Sequence, residues 1–439
     1  MTNDCIRKTP GDTAWFTRDR FGMFIHWGLY ALGARHEWLK NHERMTDEQY
    51  QKYFDRFEPD LYDPREWARM AKAAGMKYAV MTAKHHEGFC LFDSQYTDYK
   101  STNTPEGRDL LREYVEAFRA EGLKVGFYYS LLDWHHPHFP IDGMHPLRDL
   151  PEAEIRRMNA KRDMKIYARY MRDQVTELLT NYGRIDILWY DFSYPWQCPE
   201  DKPWLRGKGA ADWEAEELIA LSRRLMPGVI INNRTGIDQD IWTPEQYQPT
   251  EWPRHPVTGE RVPWEACQTF SGSWGYHRDE SSWKSPEMLV QMLIKTVSLG
   301  GNLIMNVGPT ARGYIDRRAE NALQALAGWM KYNSRSIYGC TQADAAYPCP
   351  EGCVLTQSAD GKRLYVHLFT YPFEWLEMRG MRGKVSYAQL LQDASELKMM
   401  EGEKDCLDEG SRAGADSLCI RLPVRKPDCL VPVIELFLK

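Results

Sequence analysis

Ile185-Asp-Ile-Leu-Trp-Tyr190 is an apolar run that ends directly in Asp191, with Phe-Ser-Tyr-Pro-Trp196 behind it. A carboxylate placed where a buried strand gives way to a loop occupies the position that barrel enzymes use for reacting groups. Two other apolar runs end the same way. Phe21-Gly-Met-Phe-Ile25 leads into His26, and Tyr78-Ala-Val-Met-Thr82 leads through Ala-Lys into His85-His86. Three strand ends thus converge on one polar cluster.

Outward from these runs, from about residue 21 to 333, short apolar segments alternate with amphipathic, helix-length ones, the pattern of βα units around a parallel sheet. Strands are expected at 21–27, 78–83, 125–130, 185–190, 229–232, 266–270 and 302–307, with a weak one near 241–247. Eight strands close a barrel. Helical spacing covers 64–74, 109–121, 152–182, 210–224, 286–299 and 316–333. Asp63 and Ser285 are the caps before Pro64 and Pro286. No helix reads between 241 and 270, so the barrel is expected to be irregular there. Beyond Tyr338-Gly339 the segments 354–357, 363–370, 384–391, 418–422 and 431–438 are β-rich and divided by turn residues such as Asp360-Gly361. The expected architecture is an irregular (β/α)8 barrel over residues 1–340 followed by an antiparallel β-sandwich over 341–439.

A length of 439 residues suits two domains of this size, and 43% hydrophobic with 27% charged residues excludes disorder. The formal charge of -6 and the lack of a basic stripe argue against nucleic acid. Met1-Thr-Asn-Asp-Cys-Ile-Arg-Lys8 lacks the apolar core of a secretion signal, and no stretch is long enough to span a bilayer. A cytoplasmic location without a membrane partner is therefore expected; a homo-oligomer is left open. Ten cysteines without a Cys-x-x-Cys pair read as buried reduced thiols, Cys349 and Cys353 least clearly. The aromatic content, with 16 Trp and 24 Tyr, exceeds what a core needs and suits carbohydrate, whose C–H faces stack on rings.

Around the strand ends lie Phe24-Ile-His-Trp-Gly28, Glu37-Trp38, Lys84-His-His-Glu-Gly88, Tyr128-Tyr-Ser-Leu-Leu-Asp-Trp134, Asn232-Asn-Arg234, Thr243-Pro-Glu245 and Ser273-Trp-Gly-Tyr276. Neutral hydrogen-bonders, carboxylates and rings in this mixture can hold a polyol. Phe21-Gly-Met-Phe-Ile-His-Trp-Gly28, Ala83-Lys-His-His-Glu-Gly-Phe-Cys90, Tyr96-Thr-Asp98, Gly107-Arg-Asp109, Tyr129-Ser-Leu-Leu-Asp-Trp134, Ser273-Trp-Gly-Tyr276 and Gly300-Gly-Asn-Leu303 through Asn306-Val-Gly-Pro309 together resemble the α-L-fucosidases of glycoside hydrolase family 29, over about residues 15–339. The C-terminal sandwich matches that family in architecture only.

The resemblance implies retaining exo-hydrolysis of terminal α-L-fucosides, with one carboxylate attacking the anomeric carbon and a second serving as acid and then base. It puts Asp191 at the nucleophile position and Glu245 at the acid/base position, with Glu251, Glu265 and Glu37 as rivals. It implies that His26, His85, His86, Tyr129 and Arg234 contact sugar hydroxyls, that Glu37 and Trp38 line the pocket, and that Trp189 and Trp274 wall the C5 methyl. For His135 and His136 loop contacts are favoured, and Arg108-Asp109 reads as a helix start with an ion pair. Phe192 departs from the small residue usual after the nucleophile, which puts the leaving-group side in question. The implied partner is a fucosylated oligosaccharide, with no cofactor and no metal. A metal hydrolase using His85, His86 and Asp191 is a rival class, but adjacent histidines seldom reach one ion and no His-Glu-x-x-His is present. The same pocket residues would also serve a fucose-binding pseudoenzyme or a glycosidase for a galactose-configured sugar.

Overall fold

A computed structural model describes residues 5–401 and 414–439; Met1 to Asp4 of the opening stretch and Cys406 lie outside them. Seven strands, β1 (Phe21–Ile25), β2 (Tyr78–Lys84), β3 (Lys124–Ser130), β4 (Ile187–Asp191), β5 (Ile230–Ile231), β6 (Glu265–Thr269) and β7 (Asn302–Val307), form one parallel sheet in the order β5-β4-β3-β2-β1-β7-β6. The sheet curls into a barrel-like wall, because residues distant in that order touch: Tyr78 of β2 bonds Glu265 of β6 at 2.5 Å, and the Phe24 and Trp189 rings of β1 and β4 lie 5.1 Å apart.

The eighth expected strand, 241–247, does not form as a strand. In its place stand isolated parallel bridges, Asn232 with Ile241, Trp242 with Trp264 and Glu245 with Cys267. Two features break it. Pro244 has no N–H to donate, and Gln246 is in the left-handed region at φ 49. No helix is assigned between Asn233–Thr235 and Pro286–Ser298, so the irregular third of the wall falls where the sequence placed it.

Asp63 and Ser285 cap their helices through Arg65, Glu66 and Met288 N–H groups, and Asp109 caps Leu110–Ala120 while Arg108 pairs with Glu113. The expected helices at 152–182 and 210–224 are each broken in two. Asp163 caps a new start at Met164, and Glu214 takes a left-handed φ of 48 between Ala210–Trp213 and Ala215–Leu225. Short helices in the segment after β1, Tyr30–Gly33, Leu39–His42 and Asp47–Phe54, had no periodic signal, and they carry Glu37 and Trp38 over the barrel mouth.

Beyond the wall, β8 (Cys340–Gln342), β9 (Cys353–Ser358), β10 (Arg363–Leu368), β11 (Trp375–Met378), β12 (Val385–Leu390), β13 (Met399–Glu401), β14 (Leu418–Arg421) and β15 (Val433–Leu438) make two antiparallel sheets, β12-β15-β10-β9-β8 and β11-β14-β13. Leu364, Val366 and Ile434 of the first sheet share an apolar cluster with Leu376, Met378 and Ile420 of the second, as in a sandwich. The opposite face of the first sheet, with Tyr365 and Val433, joins the main core, where Trp329 donates to the Val431 carbonyl at 2.8 Å. Among the described cysteines Cys90, Cys267 and Cys340 are buried, but Cys5 and Cys198 are exposed, contrary to the burial expected, as is Cys349, one of the two least clearly read that way.

The barrel interior is layered. Trp15 and Phe16 of the N-terminal helix Thr13–Asp19 pack on Tyr78 at the floor, and Phe24, Ile187, Trp189, Ile230 and Ile304 fill the space above. Gly22 of β1 leaves room for the Tyr78 ring: a methyl group there would lie 2.3 Å from it. Gly22→Ala should therefore destabilise the protein by about 1–3 kcal/mol through overpacking, read as a lower melting temperature; an unchanged melt would show that Tyr78 is free to move.

Candidate active site

At the C-terminal ends of the strands, one pocket is lined by Asp191, Glu245, His26, His85, His86, Arg234, Trp189, Trp274, Glu37 and Trp38, together with Phe24, Tyr128, Phe192 and Cys267. Its space, including the open mouth, is about 350 Å³. The residues marked by the sequence are therefore gathered in one place, with a single exception. Tyr129 faces outward, into the helix layer, where its hydroxyl donates to Gln174 at 2.8 Å. Side chains alternate along a strand, and Tyr128, paired in register with Trp189, is the inward one. The Tyr128 hydroxyl donates to Asp191 Oδ2 at 2.7 Å. His135 stacks on Tyr99 and His136 packs on Tyr170, both outside the pocket.

Arg234 organises the charges. Its Nη1 donates to Asp191 Oδ1 at 2.9 Å and to Glu245 Oε2 at 2.6 Å, its Nε and Nη2 are held by Thr243 Oγ1 and O at 3.0 Å, and its plane lies 4.6 Å over the Trp189 ring. Burial opposes the charge on Arg234, yet Cys267, Asp191 and Glu245 around it hold the guanidinium above its usual value. Burial likewise pushes the Asp191 carboxyl up; Arg234 and the Tyr128 hydroxyl counter this, while Glu245 adds to it. Asp191 is the enclosed member of the pair and Glu245 the one facing the mouth, with side chains 11% and 42% exposed.

Two imidazoles have fixed roles. Asn306 Nδ2 donates to the Trp274 carbonyl, so its Oδ1 must accept, and His26 Nδ1 at 2.7 Å must carry the proton. Ser130 gives its hydroxyl proton to the Leu132 carbonyl, so His86 Nδ1 at 2.6 Å must donate to Ser130. Burial, then His85 nearby, holds both rings well below the usual histidine range, so both are neutral and keep Nε2 as an acceptor. His86 Nε2 lies 3.9 Å from Asp191 Oδ2, a spacing that a hydroxyl group can bridge. His85 Nδ1 faces Glu87 at 3.4 Å. Among the described residues no cluster of three or more His, Cys, Asp or Glu is arranged to hold a metal ion.

Comparison with known proteins places the chain in a family. The sequence pattern of the α-L-fucosidase family matches residues 3–335. The chain belongs to the α-L-fucosidase family. The α-L-fucosidase isoenzyme 1 from Paenibacillus thiaminolyticus superposes with a TM-score of 0.88 at 45% identity, over 98% of this chain and 99% of that one. A family 29 α-L-fucosidase from Bacteroides thetaiotaomicron, trapped as a covalent intermediate with 2-fluoro-fucosyl fluoride in a glutamate-to-glutamine mutant, superposes with a TM-score of 0.80 at 28% identity, over 100% and 98% of the two chains. Human plasma α-L-fucosidase is 30% identical over 362 residues, 74% of this chain and 69% of its own length.

In this fucosidase the rival glutamates have different surroundings. Glu251 lines a separate groove with Trp242 and Tyr247. Glu37 sits in the pocket, but its Oε2 accepts from the Gly275 N–H at 2.8 Å. Glu265 is fully buried beneath Trp189; its oxygens take the Tyr78 hydroxyl at 2.5 Å and the Trp189 indole N–H at 3.2 Å, so neither can reach a substrate oxygen. Burial pushes its carboxyl up to about 7, against the lowering effect of those two bonds. In the unfolded chain this carboxyl ionises near 4.5. Between these values the unfolded chain ionises while the folded interior keeps the carboxyl neutral, so raising the pH through this window removes stability. Glu265→Gln does not titrate, so its melting temperature relative to wild type should climb from pH 5 to pH 8, by up to about 3 kcal/mol in stability. A difference independent of pH would show that Glu265 is already ionised at pH 5.

Proposed function

We propose that the chain is a retaining exo-α-L-fucosidase, working by two displacements through a fucosyl-Asp191 ester. The observation that carries this is the shared Arg234 Nη1. With contacts of 2.9 and 2.6 Å, it keeps the Asp191 and Glu245 oxygens at most about 5.5 Å apart, the separation of retaining rather than inverting glycosidases. Asp191, ionised beside Arg234, attacks the anomeric carbon while Glu245, at the mouth, gives its proton to the leaving oxygen. Once the ester has formed, the Asp191 charge is gone and Glu245 draws a proton from water, whose oxygen bonds the anomeric carbon as the ester bond breaks and frees the Asp191 carboxylate. His26 and His86 offer acceptors to the sugar hydroxyls, and Trp274 with Phe24 walls the deoxy methyl group. A pocket closed below by rings admits one terminal sugar, which supports exo action on short fucosylated oligosaccharides. We read the scaffold as an irregular (β/α)8 barrel in which 241–247 stands as the eighth stave, with residues 1–340 catalytic and 341–439 a supporting sandwich.

Asp191→Gly should cut kcat on p-nitrophenyl α-L-fucoside by at least about 10³-fold with little loss of folding, and azide should restore turnover as β-fucosyl azide. Hydrolysis at the wild-type rate in that variant would remove Asp191 from the mechanism. Glu245→Ala should damage substrates with poor leaving groups far more than activated aryl fucosides. Equal losses on both would assign the proton to another residue. The first-formed product, followed by NMR, should be α-fucose; β-fucose would mean inversion.

A further inference from the structure

Glu265 opens β6 at the end of the barrel remote from the mouth, where a buried carboxyl needs a strong reason to sit. Its two oxygens are used at once by neutral donors from different strands, Tyr78 of β2 and Trp189 of β4. Tyr78 is itself tied down: Asn302 Nδ2 donates to its oxygen at 3.3 Å and to the Phe16 carbonyl at 2.8 Å, leaving the tyrosine proton for Glu265. The other end of the connection is the Trp189 ring, over which Arg234 lies at 4.6 Å while it grips Asp191 and Glu245. A backbone carbonyl or a hydroxyl could satisfy the indole, but only a two-oxygen acceptor links it to the floor of the barrel.

We propose that Glu265 is a positioning residue: by accepting the indole N–H it fixes the plane of Trp189, and the Trp189 plane fixes the guanidinium of Arg234 against Asp191. This rests on the fucosidase reading of the pocket. Accepting the indole N–H also leaves the indole face more electron-rich, which strengthens its hold on the cation. A group that merely satisfied the core would contribute stability without touching the ionisation of Asp191.

The test measures kcat/KM against pH on p-nitrophenyl α-L-fucoside for wild type, Glu265→Leu, Trp189→Phe, the double variant and Glu265→Gln, each with a thermal melt. Glu265→Leu and Trp189→Phe should each lower kcat/KM about tenfold and move the acid limb to higher pH, because a displaced Arg234 stabilises the Asp191 carboxylate less. The double variant should be no worse than the poorer single one, since both changes cut the same connection. Glu265→Gln, whose amide oxygen can still accept the indole N–H, should recover most of the loss. Additive losses, an unmoved acid limb in Glu265→Leu, or a Gln variant as poor as the Leu variant would each overturn the proposal. If Glu265→Leu does not fold, Trp189→Phe must still reproduce the shift and Glu265→Gln must not. Should Asp191→Gly retain turnover, the fucosidase mechanism fails instead. In that case a crystal structure of Glu265→Gln or Glu265→Leu decides the positioning role: Trp189 and Arg234 held in place by Gln and displaced by Leu support it, and both side chains unmoved in the Leu variant refute it.

Discussion

The guanidinium of Arg234, buried on the face of Trp189 and shared between two carboxylates, is the contact on which the rest of the barrel mouth depends. A buried cation is unfavourable by several kcal/mol unless its donors are all used, and a buried carboxylate is no less so. Here each charge is tolerable because the others are present. Thr243 consumes the donors that Asp191 and Glu245 leave over, and Tyr128 takes the second oxygen of Asp191. The irregular segment 241–247 serves the same contact. Thr243 and Glu245, two residues apart and so on one face of an extended segment, both reach this cation, and beyond Pro244 the left-handed Gln246 turns the chain away.

Beneath that contact the interior changes character by level. Tyr78, Asn302 and Glu265, each the first residue of its strand, form a hydrogen-bonded floor. Rings and aliphatic chains fill the middle, and His26, Asp191 and Asn306 stand at the top. The order follows from water access: polar groups at the top face the open pocket, while those at the floor must find partners within the protein. The neutral imidazoles follow the same logic, since each spends its one N–H on the scaffold and keeps its lone pair for a hydroxyl. The sandwich contributes from outside, packing one sheet on the helices that back the wall.

Much of this was legible in the sequence because strand ends carry both signals at once, an apolar run and then a polar residue. Asp191, His26 and His85-His86 announced themselves in that way. Tyr129 did not: two adjacent tyrosines differ only in which face they take, and that is decided by the register of β3 on β4, a long-range pairing invisible from one segment. Phe24, Cys267 and Tyr128 were hidden for a related reason, as apolar or ambiguous residues whose inward direction is set by their neighbours. Of the helices after β1, Tyr30–Gly33 and Leu39–His42 were missed because four residues have no period to read, while the eight-residue Asp47–Phe54 was missed although its Thr46–Gln49 capping box was there to be found. Glu265 was visible as a glutamate at the start of a strand, but only the curl of the sheet brings Tyr78 and Trp189 to it.

Phe192 shows what the site gives up in return for its geometry. It follows Asp191 directly with φ at 86, a region that a bulky side chain occupies at a cost of about 1–3 kcal/mol. Glycine would avoid that cost, so the ring must contribute something else. It packs 5.3 Å from His86 and 5.4 Å from Trp38, closing the pocket wall beside Asp191, and Ser193 Oγ next to it donates to the Arg234 carbonyl at 2.8 Å. The strained turn therefore joins the strand that ends in Asp191 to the loop that carries its counter-ion, Arg234. Backbone strain, buried charge and a broken strand are concentrated around one carboxylate, and the stability they consume is supplied by the apolar layers beneath and the packed helices around them.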